Sequence, residues 1–189
     1  MPSVYSSYAR PPKPSRRRAG QGTQITYLAV LLAVLIGVLH AAVAPVIAIG
    51  DVHPNLVLIA VVLVTALGGF APGVAWAFIG GLTANLLTRE PLGSVPLALL
   101  VVAAGVAGAA RLFGRLSWGY PVVAVAIGSV LVDLISLGIL KMVDVPVGGG
   151  IPVGRIVAAA LLNAAIAAIV IVPVRILLAR SGAIEQHAW

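Results

Sequence analysis

The sequence predicts an all-α polytopic membrane protein with six transmembrane helices, short loops and cytoplasmic N- and C-termini. Three observations predict it. The chain of 189 residues is 61% hydrophobic and 9% charged, with a mean hydropathy of +1.13, whereas soluble domains carry roughly 25% charged residues. Between Ile25 and Leu178 only ten charged residues occur, mostly in short gaps between long apolar runs. Those gaps alternate in Lys and Arg content.

The elements follow in order. Residues 1–24 hold Pro2, Pro11, Pro12 and Pro14 among serines and basic residues, and read as a disordered basic cytoplasmic tail. Ala42-Val43-Ala44 resembles a signal-peptide cleavage site, but Pro45 would follow the cut and disfavours it, so the first span is expected to be retained. Six apolar segments run over residues 25–49, 54–67, 72–87, 95–112, 120–142 and 152–179. They make up a transmembrane domain over residues 25–180, followed by a cytoplasmic tail over 181–189. Helices are the default in lipid because their backbone satisfies its own hydrogen bonds. A crossing needs about 20 residues, so the second and third segments are short and also admit a re-entrant pair.

Several boundaries have local causes. The run Gly68-Gly69-Phe70-Ala71-Pro72-Gly73 is a turn signal. Pro54, Pro72 and Pro152 suit first-turn positions, where a missing N–H costs nothing. Pro45 and Pro173 should bend or end their helices. Gly148-Gly149-Gly150 is a flexible outer loop.

Charge sets the orientation. Six spans place Arg10, Lys13, Arg16, Arg17, Arg18, Arg111, Arg115, Arg175 and Arg180 inside, and Arg89, Lys141 and Arg155 outside. This is the sense that the positive-inside rule requires. A re-entrant second segment would put Arg111 and Arg115 outside and spoil it. Trp118 and Tyr120 fall at an interface. The net charge of +7 does not point to nucleic acid, because the basic cluster precedes the first span and no aromatic residues interleave with it. Membrane lipid is the expected contact of that cluster.

Small residues recur every four positions, which places them on one helix face where backbones approach closely. The longest such stripe is Ala29, Ala33, Gly37 and Ala41. It serves either internal packing or the docking of a transmembrane partner, and it is the candidate partner-docking face. The third segment carries Gly73, Ala77 and Gly81 with Asn85 next in line, the fourth Ala104 and Gly108, and the sixth Ala160, Ala164 and Ala168.

Four polar residues interrupt the apolar runs: His40, Asn85, Asp133 and Asn163. Counting 1.5 Å per residue from the cytoplasmic ends puts each about 20 Å up, so they form a candidate intramembrane polar layer. Asp133 is costly, at about 2.5–3.5 kcal/mol for insertion at a helix centre. Ser129 and Ser136 share its face and are candidate hydrogen-bond donors to it. The layer serves as an interhelical clamp, a proton or substrate site, or a partner contact.

The chemistry of an enzyme is not evident. The chain has no cysteine, three histidines and five acids, mostly dispersed, with His53 in a loop and His187 in the tail. No metal site, cofactor or Walker motif is expected. Ser94, Ser129 and Ser136 find no base other than the distant-in-sequence His40.

The motifs over residues 53–93 carry a family likeness. His53-Pro54-Asn55-Leu56-Val57-Leu58 opens the second segment. Gly81-Leu82-Thr83-Ala84-Asn85-Leu86-Leu87 closes the third, and Glu90-Pro91-Leu92-Gly93 follows. Leu161-Leu162-Asn163 and Pro173-Val174-Arg175 occupy the last. Together these resemble the rod shape-determining membrane protein MreD family over residues 25–180. Asn85 stands where the family often has Asp, and Asn55 where an acid can follow the proline, which leaves hydrogen bonding but not charge at both positions.

The resemblance implies a non-enzymatic subunit of the bacterial cell-elongation machinery in the cytoplasmic membrane. Its implied partners are the bitopic scaffold MreC, the cytoskeletal MreB, the polymerase RodA and a penicillin-binding transpeptidase. The alternative is the substrate-binding S-component of an energy-coupling-factor vitamin transporter, a bundle of similar size and helix number. Ala29 and Ala33 would suit the Ala-x-x-x-Ala face such proteins use for docking, but the polar layer looks thin for a ligand pocket.

Overall fold

The structure is a computed structural model that describes residues 16–48, 52–88, 90–113, 119–143 and 152–180. Six helices account for nearly all of them: α1 (Arg16–Val43), α2 (Leu56–Gly68), α3 (Phe70–Leu87), α4 (Ser94–Phe113), α5 (Tyr120–Met142) and α6 (Val153–Arg180). Five are long and apolar enough to cross a membrane, and α2 is the shorter exception.

Most ends lie within two residues of the expected ones, and α1 is the outlier at both ends. It begins at Arg16, so the last part of the expected tail over residues 1–24 is helical. Arg, Ala and Gln are good helix formers, and extending a helix already nucleated costs little. The rest of that tail, Arg115, residues 144–151 and the C-terminal tail 181–189 lie outside the described residues, as do the side chains of Arg16, Arg17 and Arg18. The helix stops at Val43 rather than Ile49, because Pro45 has no N–H to continue it; a turn follows, with Ile47 N donating to Val43 O at 3.1 Å. Pro54 does not enter α2 but precedes its N-cap, Asn55.

Helix α2 is the centre. It is apolar on every side, which is the mark of a buried helix, and Val57, Leu58, Val61 and Val62 are fully enclosed. All five other helices touch it. Around it the neighbours run in the order α1, α3, α4, α5, α6, each packed on the next. Among the described residues α1 and α6 do not touch, so the ring is open there. The half-buried residues Leu56, Ala60, Val64 and Leu67 form one face of α2 at helical spacing, and the open side is where α2 is left without a neighbour.

The turn between α2 and α3 is a single residue, Gly69, at φ +93°, a backbone region that favours glycine. Gly73 then lies against Thr65, and Gly80 against Val57, so the two helices are antiparallel. Helices α1 and α3 are parallel: Ala33 meets Gly80, and Gly37 meets Gly80 and Thr83. Gly81 is pressed onto Pro96 and Leu99 of α4, and Gly128 of α5 onto Val102 and Leu58. Tyr120 at the start of α5 donates to Val106 O in α4. The connections α1–α2, α3–α4 and α5–α6 therefore share one end of the bundle.

The small-residue stripes divide. Gly73, Ala77, Gly81 and Asn85 are all buried, so that face of α3 is packed as expected. The α1 stripe is turned inward, with Ala33 and Gly37 buried against α3 and Ala29 and Ala41 at its edges. It is thus occupied within the chain, which corrects its reading as a partner-docking face: a groove of glycines on α3 offers α1 a closer approach than a bare lipid surface. Ala104 is exposed and Gly108 has open space beside it, so the α4 stripe packs nothing; in α6 only Ala160 is buried, with Ala164 half-buried and Ala168 exposed.

These contacts predict a mutational pattern. A Cβ on Gly81 would lie 2.9 Å from Pro96 Cα, and one on Gly37 2.8 Å from Gly80 O, both backbone-limited. Gly81→Val and Gly37→Val should each destabilise the detergent-purified protein by about 1–3 kcal/mol, read as a lower Tm. Gly105→Ala, with nothing within 4 Å, should leave Tm unchanged or raise it slightly.

Candidate functional site

A helix that starts inside apolar surroundings has N–H groups without partners. At α2 they are met by amides. The Asn55 side chain accepts from Leu58 N at 3.0 Å. Asn55 N donates to Asn163 Oδ1 at 2.7 Å. Asn163 Nδ2 donates to Ser129 Oγ at 2.8 Å. The chain Ser129–Asn163–Asn55 ties α5, α6 and the N-terminus of α2 together, with both Ser129 and Asn163 buried.

Asn85 does the same for the α3–α4 connection. Its Nδ2 donates to Pro91 O at 3.2 Å and to Glu90 O at 3.4 Å, and its Oδ1 accepts from Gly93 N at 2.6 Å. Gly93 takes φ +89° so that its N–H can turn in. Both ends of the amide are used, and a carboxylate could not donate to the two carbonyls.

Above these clamps, at the end of the bundle that carries the three connections, lies a pocket of about 250 Å³. Helix α1 contributes His40, and the α2 cap contributes Asn55. Glu90, Pro91, Ser94 and Val95 line it from the α3–α4 turn and the start of α4. Val132, Asp133, Ser136, Leu137 and Leu140 come from α5, and Pro152, Arg155 and Ile156 from the start of α6. It bridges the gap between α1 and α6 over the N-terminus of α2.

The expected polar layer is therefore a pocket with two braces. His40 and Asp133 line it, Asn163 lies beneath it through Asn55, and Asn85 holds the turn that forms one wall. Ser136 lines it beside Asp133, whereas Ser129 is not on the pocket wall and accepts from Asn163 Nδ2 instead. Asp133 Oδ2, His40 Nδ1 and Ser94 Oγ are buried without a hydrogen-bond partner, and all three residues line this pocket. The three side chains do not bond one another, so no Ser–His–Asp relay is assembled. Among the described residues no three His, Cys, Asp or Glu side chains converge as a metal site.

Arg155 lies within electrostatic range of both Asp133 and Glu90. Crowding by neighbouring atoms pushes the Glu90 carboxyl above the ordinary carboxylate range, while the Ser94 hydroxyl and the Arg155 charge oppose the shift. Ser94 Oγ stands beside that carboxyl without an aligned hydrogen bond. Glu90 as a residue remains exposed, so solvent reduces what the shift does to stability.

Sequence reasoning missed Glu90, Ser94 and Arg155 as site residues. They lie in or next to short connections, where they read as loop or topology charges. Arg111 remains an exposed residue of the last turn of α4.

With its fold and pocket described, the chain falls in the class of helical, multi-pass membrane proteins. Comparison with protein-family models, with curated proteins and with solved structures gave no match.

Two outcomes test this description. Asn85→Asp should place a carboxylate against Glu90 O and Pro91 O. It should lower Tm and speed hydrogen exchange over residues 88–94, whereas an unchanged loop would refute the clamp. Glu90 has a raised pKa in the folded state, so its contribution is favourable in acid and is lost as pH rises through that pKa. Glu90→Gln should therefore be at least as stable as wild type at neutral pH, with the difference shrinking below the ordinary carboxylate range.

Proposed function

We propose that this protein is a six-span, non-enzymatic MreD-like subunit of the bacterial cell-elongation machinery. It sits in the cytoplasmic membrane with both termini inside. It docks an MreC-like bitopic scaffold and helps couple MreB filaments to wall synthesis by RodA and a penicillin-binding transpeptidase. The observation that carries the reading is where its motif residues meet. Asn55, Asn85, Glu90, Pro91, Gly93 and Asn163 come from four separate motifs of the resemblance, and they cap α2, clamp the α3–α4 turn and line or underlie one pocket. Six spans are supported by the parallel course of α1 and α3, since α2 must bring the chain back between them.

One observation favours the second reading, an S-component that binds a small substrate. The pocket carries His40, Asn55, Glu90, Ser94, Asp133, Ser136 and Arg155, more polar groups than the sequence pattern suggests. Its volume of about 250 Å³ is at or just under the low end of small-molecule sites, about 300–1,000 Å³.

Depletion of the protein in a rod-shaped host should yield spherical cells, and mild-detergent pull-down should recover a single-span scaffold. Normal cell shape with a vitamin requirement, and co-purification of an ATPase module, would replace the first reading with the second.

A further inference from the structure

We infer that the pocket and the open side of the ring below it form a binding site for a phospholipid with a primary-amine headgroup. The ammonium lies against Asp133 and Glu90, the phosphate against Arg155, and one acyl chain runs along α2 between α1 and α6. The inference rests on the membrane-spanning reading of the helices and on no partner protein.

Charge complementarity selects the headgroup. Among the described residues the wall carries two carboxylates and one guanidinium. A purely cationic ligand brings a like charge toward Arg155, and a purely anionic one meets two carboxylates. A zwitterion with a cation at one end and a phosphate at the other matches both signs. Arg is suited to phosphate because its planar fork donates in pairs.

Hydrogen bonding selects the amine. Asp133 Oδ2 is buried without a donor, and Ser94, 4% exposed, holds its hydroxyl beside the Glu90 carboxyl with lone pairs left to accept. A buried acceptor without a donor is costly. A primary ammonium has three donors to offer, and a quaternary ammonium has none. The site therefore distinguishes ethanolamine from choline headgroups of nearly equal charge.

Access selects a lipid over a free solute. The pocket is walled by His40 of α1 on one side and Arg155 and Ile156 of α6 on the other. Those two helices do not touch among the described residues. Below, Leu56, Ala60, Val64 and Leu67 offer an apolar strip along α2. The cavity of about 250 Å³ equals roughly eight water volumes, which is room for a headgroup, with the chain left to lie outside on the strip.

The test uses the full chain in nanodiscs of equal parts palmitoyl-oleoyl phosphatidylethanolamine, phosphatidylcholine and phosphatidylglycerol, with the lipids retained on the protein counted by native mass spectrometry. Wild type should retain phosphatidylethanolamine over phosphatidylcholine by about tenfold. Asp133→Asn should abolish that preference, Arg155→Gln should weaken both zwitterionic lipids, and Val64→Trp should reduce all retention by filling the strip. Equal retention of the two zwitterionic lipids by wild type overturns the proposal without recourse to any variant. So does undiminished preference in Asp133→Asn, or saturable binding of free phosphoethanolamine with no lipid retained. Failure of the chain to enter nanodiscs would instead refute the membrane-spanning reading itself.

Discussion

The bundle depends on how α2 begins. A 13-residue helix is about 20 Å long, well short of a hydrocarbon core of about 30 Å. Placed in the middle of five longer helices, it must start below their ends, and its first N–H groups are then far from bulk water. Asn55 meets the N–H of Leu58, Asn163 accepts from that of Asn55 itself, and Ser129 completes the chain. Since those residues belong to α2, α6 and α5, the capping of one helix also fixes where two others stand. The short helix leaves space above its N-terminus, and that space is the pocket.

The second constraint is steric. Helix α3 carries glycines on two faces, one toward α2 and α4 and the other toward α1. Between apolar helices in lipid no hydrophobic difference drives association, so close backbone approach and dispersion must hold them. With Gly128 of α5 against α4 and α2, the glycine contacts supply that for five of the six helices. Among the described residues α6 has no equivalent contact with α1, and the ring is open at that point.

The polar groups around the pocket sort by whether they are satisfied. Asn85 and Asn163 use both ends of their amides and Asn55 its Oδ1, and all three act as braces. Asp133, His40 and Ser94 keep unpartnered polar atoms on its wall. A fully bonded set rigidifies, whereas a buried carboxylate without a donor is a group poised for a ligand. Both sets lie toward one end of the bundle, at or just beneath the pocket.

Much of this is determined by sequence alone. Apolar runs interrupted by glycine, proline and charge specify six helices, because length and hydropathy are local properties. Spacing of four along the third run places Gly73, Ala77, Gly81 and Asn85 on one buried face. Counting rise per residue marks His40, Asn85, Asp133 and Asn163 as candidates for one level, but not which of them line the pocket. Tertiary structure decided the rest. It made α2 central, turned the Ala33–Gly37 face inward, set Ser129 against Asn163 off the pocket wall, and recruited Glu90, Ser94 and Arg155 to the pocket. Each of these depends on which helices become neighbours. A small-residue stripe or a lone carboxylate is marked in sequence, but its partner is set by packing between segments far apart in the chain.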